Sequence, residues 1–355
     1  MKIRGLAAAS AVLVLAAGVV AAVTAVTASP WPGALLIRFV FGRDAAKVKT
    51  ALEPHAPDDV RRIGNQRYGA GPDALLDVYL SASVADGEAL PTIVWTHGGA
   101  WISGNKTDAA PYFAILAAAG YTVVAPDYSV GPGRQYPTAV LQLNDALRYL
   151  HDNAERLHID RNRIVLAGDS AGAQLTSQLA AIVTNPDYAR AMGITPALDA
   201  TQLKGLVLCC GVYNMAALDH LRGVLGWGFH IATWSYSGVR HYTSDPALKL
   251  MSTVDYVTAD FPAAFITGGN GDGLTAIQSK PLASRSWRAW ASPRRRCSSL
   301  TTTRRHSRTS TSSLWTLRRA RMRSSGFWDS SRSVSTPRRP RGDICAAFSW
   351  FGRFN

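Results

Sequence analysis

Arg163-Ile-Val-Leu-Ala-Gly-Asp-Ser-Ala-Gly-Ala-Gln-Leu-Thr176 is the stretch on which the fold turns. Arg163–Ala167 reads as a strand, and a helical stretch opens at Ala171 and runs to Thr184. Between them stands Gly168-Asp-Ser-Ala-Gly172, a G-x-S-x-G pattern at a strand-to-helix turn. A serine there stands clear of the backbone, and small residues on either side let neighbouring chain close in. The helix start adds free N–H groups and a positive dipole end beside Ser170. Such a serine is a candidate nucleophile.

Outward from this turn, strand and helix alternate. Strands are expected at Leu75–Leu80, Thr92–Thr96, Thr122–Ala125, Leu206–Cys210 and Ala264–Thr267, and helices at 34–52, Pro111–Ala119 and Thr138–Asn153. Several strands are continuous apolar runs, as parallel strands covered on both faces must be. The alternation predicts an α/β class with a mostly parallel, doubly wound sheet. The aromatic stretch 212–250, with Trp227, Phe229, Trp234 and Tyr236, breaks the alternation and suits a small cap. Upstream, His97-Gly-Gly-Ala-Trp101 follows the strand ending at Thr96. A glycine-rich loop there can aim backbone N–H groups at a developing oxyanion. Gly99, Ala100 and Ala171 are the expected donors, Gly98 shapes the turn, and His97 orders the loop.

The net charge of +14 would ordinarily point to a polyanionic partner. Its distribution argues otherwise. Residues 284–355 hold 17 Arg, no Lys and two Asp, for +15, whereas residues 1–283 carry −1. Three regions follow: 1–29, an α/β body over 30–283, and an Arg/Ser-rich tail over 284–355 with no sustained period. In the first, Lys2 and Arg4 precede an uncharged run from Gly5 to Ala28. As a helix it would reach about 36 Å, enough for a bilayer core of about 30 Å. It reads as a signal anchor with the body outside the cytoplasm, the alternative being a cleaved signal and a secreted protein. The four cysteines form neither a disulfide framework nor a zinc pattern.

His97-Gly-Gly-Ala-Trp101, Tyr136-Pro137, Asp145, Gly168-Asp-Ser-Ala-Gly172 and Gly268-Gly-Asn-Gly-Asp272 together resemble the hormone-sensitive-lipase-like branch of the α/β-hydrolases. Exported actinobacterial esterases are the nearest type. The resemblance implies a serine carboxylesterase or lipase-type hydrolase with an acyl-enzyme, acting on a small-molecule ester without metal or organic cofactor. Formamide hydrolysis would use the same residues. It makes Asp272 the acid that holds the catalytic histidine; Gly273 departs from the proline common there. Asp169 lies too close to Ser170 for that task, and Asp145 precedes the nucleophile and is structural.

The resemblance also demands a histidine 30–40 residues after the acid. His306 alone follows Asp272, in Thr303-Arg-Arg-His-Ser-Arg-Thr309, which resembles no such loop. Lys-free, Ser/Arg/Trp-rich sequence is what a GC-rich gene yields out of frame. Read from the third base of each codon, Arg308-Thr-Ser-Thr-Ser-Ser313 can encode His-Glu-Tyr-Gln-Phe, the sequence related esterases carry around their histidine. Trp315-Thr then forces Asp, Phe327-Trp forces Leu and Trp328-Asp forces Gly. A frameshift between about 283 and 288 is therefore expected to have removed the last strand, the base and the final helix. The rival expectation is a dead hydrolase body whose basic tail binds nucleic acid or an anionic membrane. Against it, the tail presents no basic face at helical spacing, so no specific nucleic-acid partner is expected.

Overall fold

Short apolar runs set the architecture of the computed structural model, which describes residues 14, 16–18, 24, 27–241, 245–269, 271–291 and 312–315. In chain order the elements are α1 (Trp31–Leu52), β1 (Val60–Arg67), β2 (Leu75–Ser81), β3 (Leu90–Thr96), α2 (Ala110–Ala118), β4 (Thr122–Pro126) and α3 (Thr138–Asp152). Then come β5 (Ile159–Asp169), α4 (Ala171–Thr184), α5 (Pro186–Met192), β6 (Leu203–Cys209), α6 (Gly223–Ser237), α7 (Pro246–Met251), β7 (Ala264–Gly269), α8 (Ser279–Ala291) and β8 (Ser312–Trp315).

The strands form one sheet in the order β1-β2-β4-β3-β5-β6-β7-β8. Pairing is parallel from β4 through β7 and antiparallel at both flanks. Side chains alternate between two apolar layers, as the two-residue strand period requires. Tyr79, Trp95, Val123 and Ala167 meet Phe113 and Ala117 of α2. Their neighbours Val78, Val94, Val124 and Leu166 face the opposite layer, with Leu143, Leu147, Leu175 and Leu179 of α3 and α4. The continuous apolar runs are thus covered on both faces.

The chain leaves β3 for β4 on one side and returns to β5 on the other. At this reversal the loops after β3 and β5 part and open a crevice at the carboxyl ends of the strands. The glycine loop 97–104 and Ser170 both emerge there.

Several expectations are corrected. β1 was not anticipated: Val-Arg-Arg-Ile-Gly-Asn-Gln-Arg is mostly polar because it is a flank strand, irregular between Ile63 and Gln66. In the stretch expected as a cap, Phe229, Ile231, Trp234 and Tyr236 are buried while Val224 and Trp227 are exposed. Helix α8 runs across positions 283 and 284, with Leu282 and Ser286 buried and Trp290 Nε1 donating to Phe261 O (2.8 Å); whether the chain from 284 on is the body's own is a separate matter of its codons. Beside β7, where the sequence left a bare edge, Ser312–Trp315 adds an antiparallel strand. Among the described residues no helix is long and apolar enough to cross a membrane. Most of the run 5–28 lies outside them, as does most of the tail.

Candidate active site

Ser170 sits at φ 51°, ψ −120°, a strained conformation for a residue with a side chain. Its surroundings hold it there. Its N–H donates to Cys209 O at the end of β6 (2.8 Å), and α4 starts at the next residue. Gly168 has no room for a side chain, since a Cβ would lie 2.7 Å from the backbone of Gly172. A Cβ on Gly172 would strike the carbonyl oxygens of Thr96 and His97. The elbow and the end of β3 therefore touch backbone to backbone, which the two glycines permit.

The loop after β3 passes through three successive positive φ values, Gly99 (111°), Ala100 (53°) and Trp101 (59°). Gly99 O is turned into the loop, where it accepts from Ile102 N (3.0 Å), Ser103 N (2.9 Å) and Ser103 Oγ (3.0 Å). His97 orders the loop as expected. Its Nδ1 donates to Gly98 O (2.8 Å), its ring stacks on Tyr128 at 4.2 Å, and Tyr128 OH donates back to His97 O (2.8 Å). Trp101 is fully buried, donating to Gln174 Oε1 (3.0 Å) and stacking on Tyr236.

A cavity of about 230 Å³ joins these pieces, lined by Ser170, Gly98, Gly99, Asp272 and Cys210 among others. Ala100 and Ala171 are buried and do not line it. Asp272 follows β7; its Oδ1 accepts from Leu274 N (2.9 Å), and burial raises its pKa against the opposing pull of that bond and of Thr275. Asp169 is committed elsewhere: Oδ1 accepts from Trp95 Nε1 (3.1 Å), and burial raises its pKa to about 6. Asp145 is an exposed partner of Arg148 (2.7 Å), away from the cavity. His306 lies outside the described residues. Among those described, the histidine lining the cavity is His97, whose ring nitrogens address Gly98 O and, at 3.9 Å, Asp127.

The sequence did not reveal the far wall. It is α1, through Arg38, Phe41, Ala45 and Val48, and no described residue of 212–250 contributes. Arg38 ties α1 down, donating from Nε to Ile102 O (2.5 Å) and from Nη2 to Gly131 O (2.8 Å). One charge within Trp31–Phe41 was the available signal. Lys106, just past the glycine loop, is buried against Asp77 (3.3 Å) and Asn65 Oδ1 (2.9 Å), while its N–H donates to Asp127. Arg62 also pairs with Asp77 (2.6 Å).

A doubly wound sheet with a strained serine elbow at its switch point defines the α/β-hydrolase class. Residues 76–285, more than half of the chain, match the BD-FAE family, and the chain belongs to it. Esterase LipQ of Mycobacterium tuberculosis is 29% identical over 229 residues, 62% of this chain and 52% of the relative. Carboxylesterase NlhH of the same species is 33% identical over 135 residues, 38% of this chain and 41% of the relative. The chain spans about half the length, or less, of the curated relatives it matches. Esterase B from Lactobacillus rhamnosis superposes with a TM-score of 0.63 at 22% identity, over 73% of this chain and 81% of that one. EstE1, a thermostable carboxylesterase from a metagenomic library, gives 0.54 at 20% identity over 75% and 85%.

Proposed function

We propose that the chain is a carboxylic ester hydrolase working through a serine acyl-enzyme. The observation that carries this is Ser170, strained at its elbow and sharing one cavity with Gly98, Gly99 and Asp272. The named esterases among its relatives agree with it, and Esterase B has been crystallised with a tributyrin-derived phosphonate inhibitor. In the reaction, Ser170 Oγ attacks the ester carbonyl carbon and its proton passes to a base. The oxyanion falls to the backbone N–H of Gly99, which lines the cavity, and to those of Ala100 and Ala171, each next in the chain to a lining residue, with Gly98 letting the loop close on Asp169. The tetrahedral adduct expels the alcohol, which takes the proton, and water then releases the acid by the same path. Asp272 would fix the tautomer of the base.

The base is the weak member. His306 is the available histidine beyond Asp272, and the frameshift reading removes the intended one. We therefore propose that the chain as written hydrolyses esters slowly. A fluorophosphonate probe and p-nitrophenyl acetate test it. Covalent labelling and slow release of nitrophenol, both lost in Ser170→Ala, are expected; labelling that survives Ser170→Ala overturns the assignment. A codon for Arg308 other than CGC defeats the frameshift as drawn. For residues 1–29 we propose an anchor holding the body outside the cytoplasm, tested by shaving intact cells with protease; a protected body overturns it.

A further inference from the structure

Helix α1 has two apolar faces, and the cavity uses one. Arg38, Phe41, Ala45 and Val48 recur at helical spacing and wall the cavity. On the other side Leu35, Leu36 and Phe39 are exposed, Phe39 by 62%, and Trp31, two turns before Arg38 and packed against it at the helix start, is exposed as well. A helix start that is apolar all round belongs in a core or in lipid, not against water. The neighbouring α6 continues the exposure. Its Ile231 packs on α1 at Gly33, where a Cβ would come within 3.0 Å of that side chain. Val224 and Trp227 precede Ile231 by two turns and one turn on the same face, and both are exposed, Val224 by 67%. Among the described residues, six of the nine exposed large hydrophobics lie on these two helices, so the exposure is concentrated rather than scattered.

Two features indicate what covers this face. The uncharged run Gly5–Ala28 ends three residues before Trp31, so whatever apolar phase receives the run lies beside the start of α1. Basic groups border the apolar ridge. Beyond Arg38, which is committed inward, residues 39–49 hold Arg43, Lys47 and Lys49 against Asp44, Lys47 pairing with Asp44 (2.9 Å), and the Arg43 guanidinium sits 5.7 Å from the Phe39 ring centroid. Arg222 stands beside Val224. Aromatic and aliphatic side chains flanked by cations are the composition of a helix lying in a lipid headgroup layer.

We propose that the outer face of α1, with Val224 and Trp227 of α6, docks the body onto an anionic phospholipid bilayer. Docking rests on the anchor proposed for residues 1–29 and extends it: the run holds the chain to the membrane, and this face lays the catalytic body flat on it. The wall of the cavity is then the inner side of the docked helix.

The test uses the full chain on phosphatidylcholine/phosphatidylglycerol vesicles, collected by flotation and oxidised with hydroxyl radicals, with Leu141 of α3, exposed and on neither docking helix, as internal reference. The comparison is Leu36→Glu/Phe39→Glu, both at exposed positions, with the melting temperature checked against wild type. Both proteins should float. Relative to Leu141, oxidation of Trp31 and Trp227 should be several-fold slower in wild type than in the variant. Flotation with equal oxidation in the two proteins leaves the anchor standing and overturns docking. Absence of flotation overturns both. Protection in lipid-free samples, together with a dimer in sedimentation, assigns the face to a second copy and likewise overturns the proposal.

Discussion

Two loops leave the same edge of the sheet to frame Ser170, and they are held in different ways. The loop after β3 is fixed by long-range polar contacts: Lys106 to Asp77, Arg38 from α1, and His97 against Tyr128. The loop after β7 is fixed largely by its own turn, with Gln278 at its end as the long-range tie, its Oε1 accepting from Tyr213 N and Asn214 N (both 2.7 Å). Asp272 accepts from Leu274 two residues on, and Thr275 Oγ1 donates to Gly269 O six residues back (2.9 Å). The first loop therefore shares the stability of the whole sheet. The second depends on its own turn, on Gln278 against Tyr213 and Asn214, and on a sheet edge closed by four residues. A buried charge pair severed in the first should damage the fold, whereas a lesion in the second should show in the chemistry first.

Ser170→Ala sets the upper limit, because Ser170 stands between the loops and belongs to neither. Because the base is already weak and the triad acts as a unit, ester hydrolysis should fall from its slow rate to the buffer background, with the melting temperature little changed. Next comes Gly172→Ala, which drives a Cβ into the backbone of β3. A loss of about 3 kcal/mol or more is expected in urea titration, since rigid backbone cannot yield as a side chain can. A variant as stable as wild type would show that the elbow and the first loop are not locked together.

How far these regions were legible in sequence follows from the same contrast. The elbow was readable because strand, turn and helix are contiguous and two glycines mark the close approach. The parallel strands were readable because burial on both faces leaves an unbroken apolar run. Asp272 was placed by resemblance alone, and the structure puts it in the cavity with Ser170. Arg38, Lys106 and Asp77 escaped notice because their partners lie 12 to 93 residues away and no local pattern links them. The flank strand Val60–Arg67 failed for a related reason: one side faces water, so it lacks the apolar run that identifies its neighbours.

Lys106→Met cuts the long-range bracing directly. It leaves Asp77, fully buried, with Arg62 as its remaining cation, and should cost about 3 kcal/mol. A cost near that of an exposed pair, below about 1 kcal/mol, would equate the two loops and break the comparison. Acidity offers a gentler probe. Burial raises the carboxyls of Asp169 and Asp127 to about 6, so the native state keeps protons that the unfolded chain loses near pH 4. Their contribution to stability is complete below about pH 4 and is lost as pH rises through about 6. Asp169→Asn should flatten the fall in melting temperature across that window. An unchanged slope would show that Asp169 titrates as an ordinary carboxylate.

Thr275→Val carries the smallest effect and bears on the second loop alone. The substitution keeps the shape and removes one hydroxyl, buried beside Asp272 and bonded to Gly269 O. One hydrogen bond lost in a partly local turn should cost about 1 kcal/mol. The same hydroxyl opposes the upward shift that burial imposes on Asp272, so its loss should raise that pKa further. If Asp272 supports the base in its ionised form, the acid limb of the pH–rate profile must move to higher pH while the melting temperature falls only slightly. A profile that stays in place would detach Asp272 from the chemistry and leave the second loop a structural turn. A large stability loss would instead mean that this edge of the sheet is as tightly braced as the other.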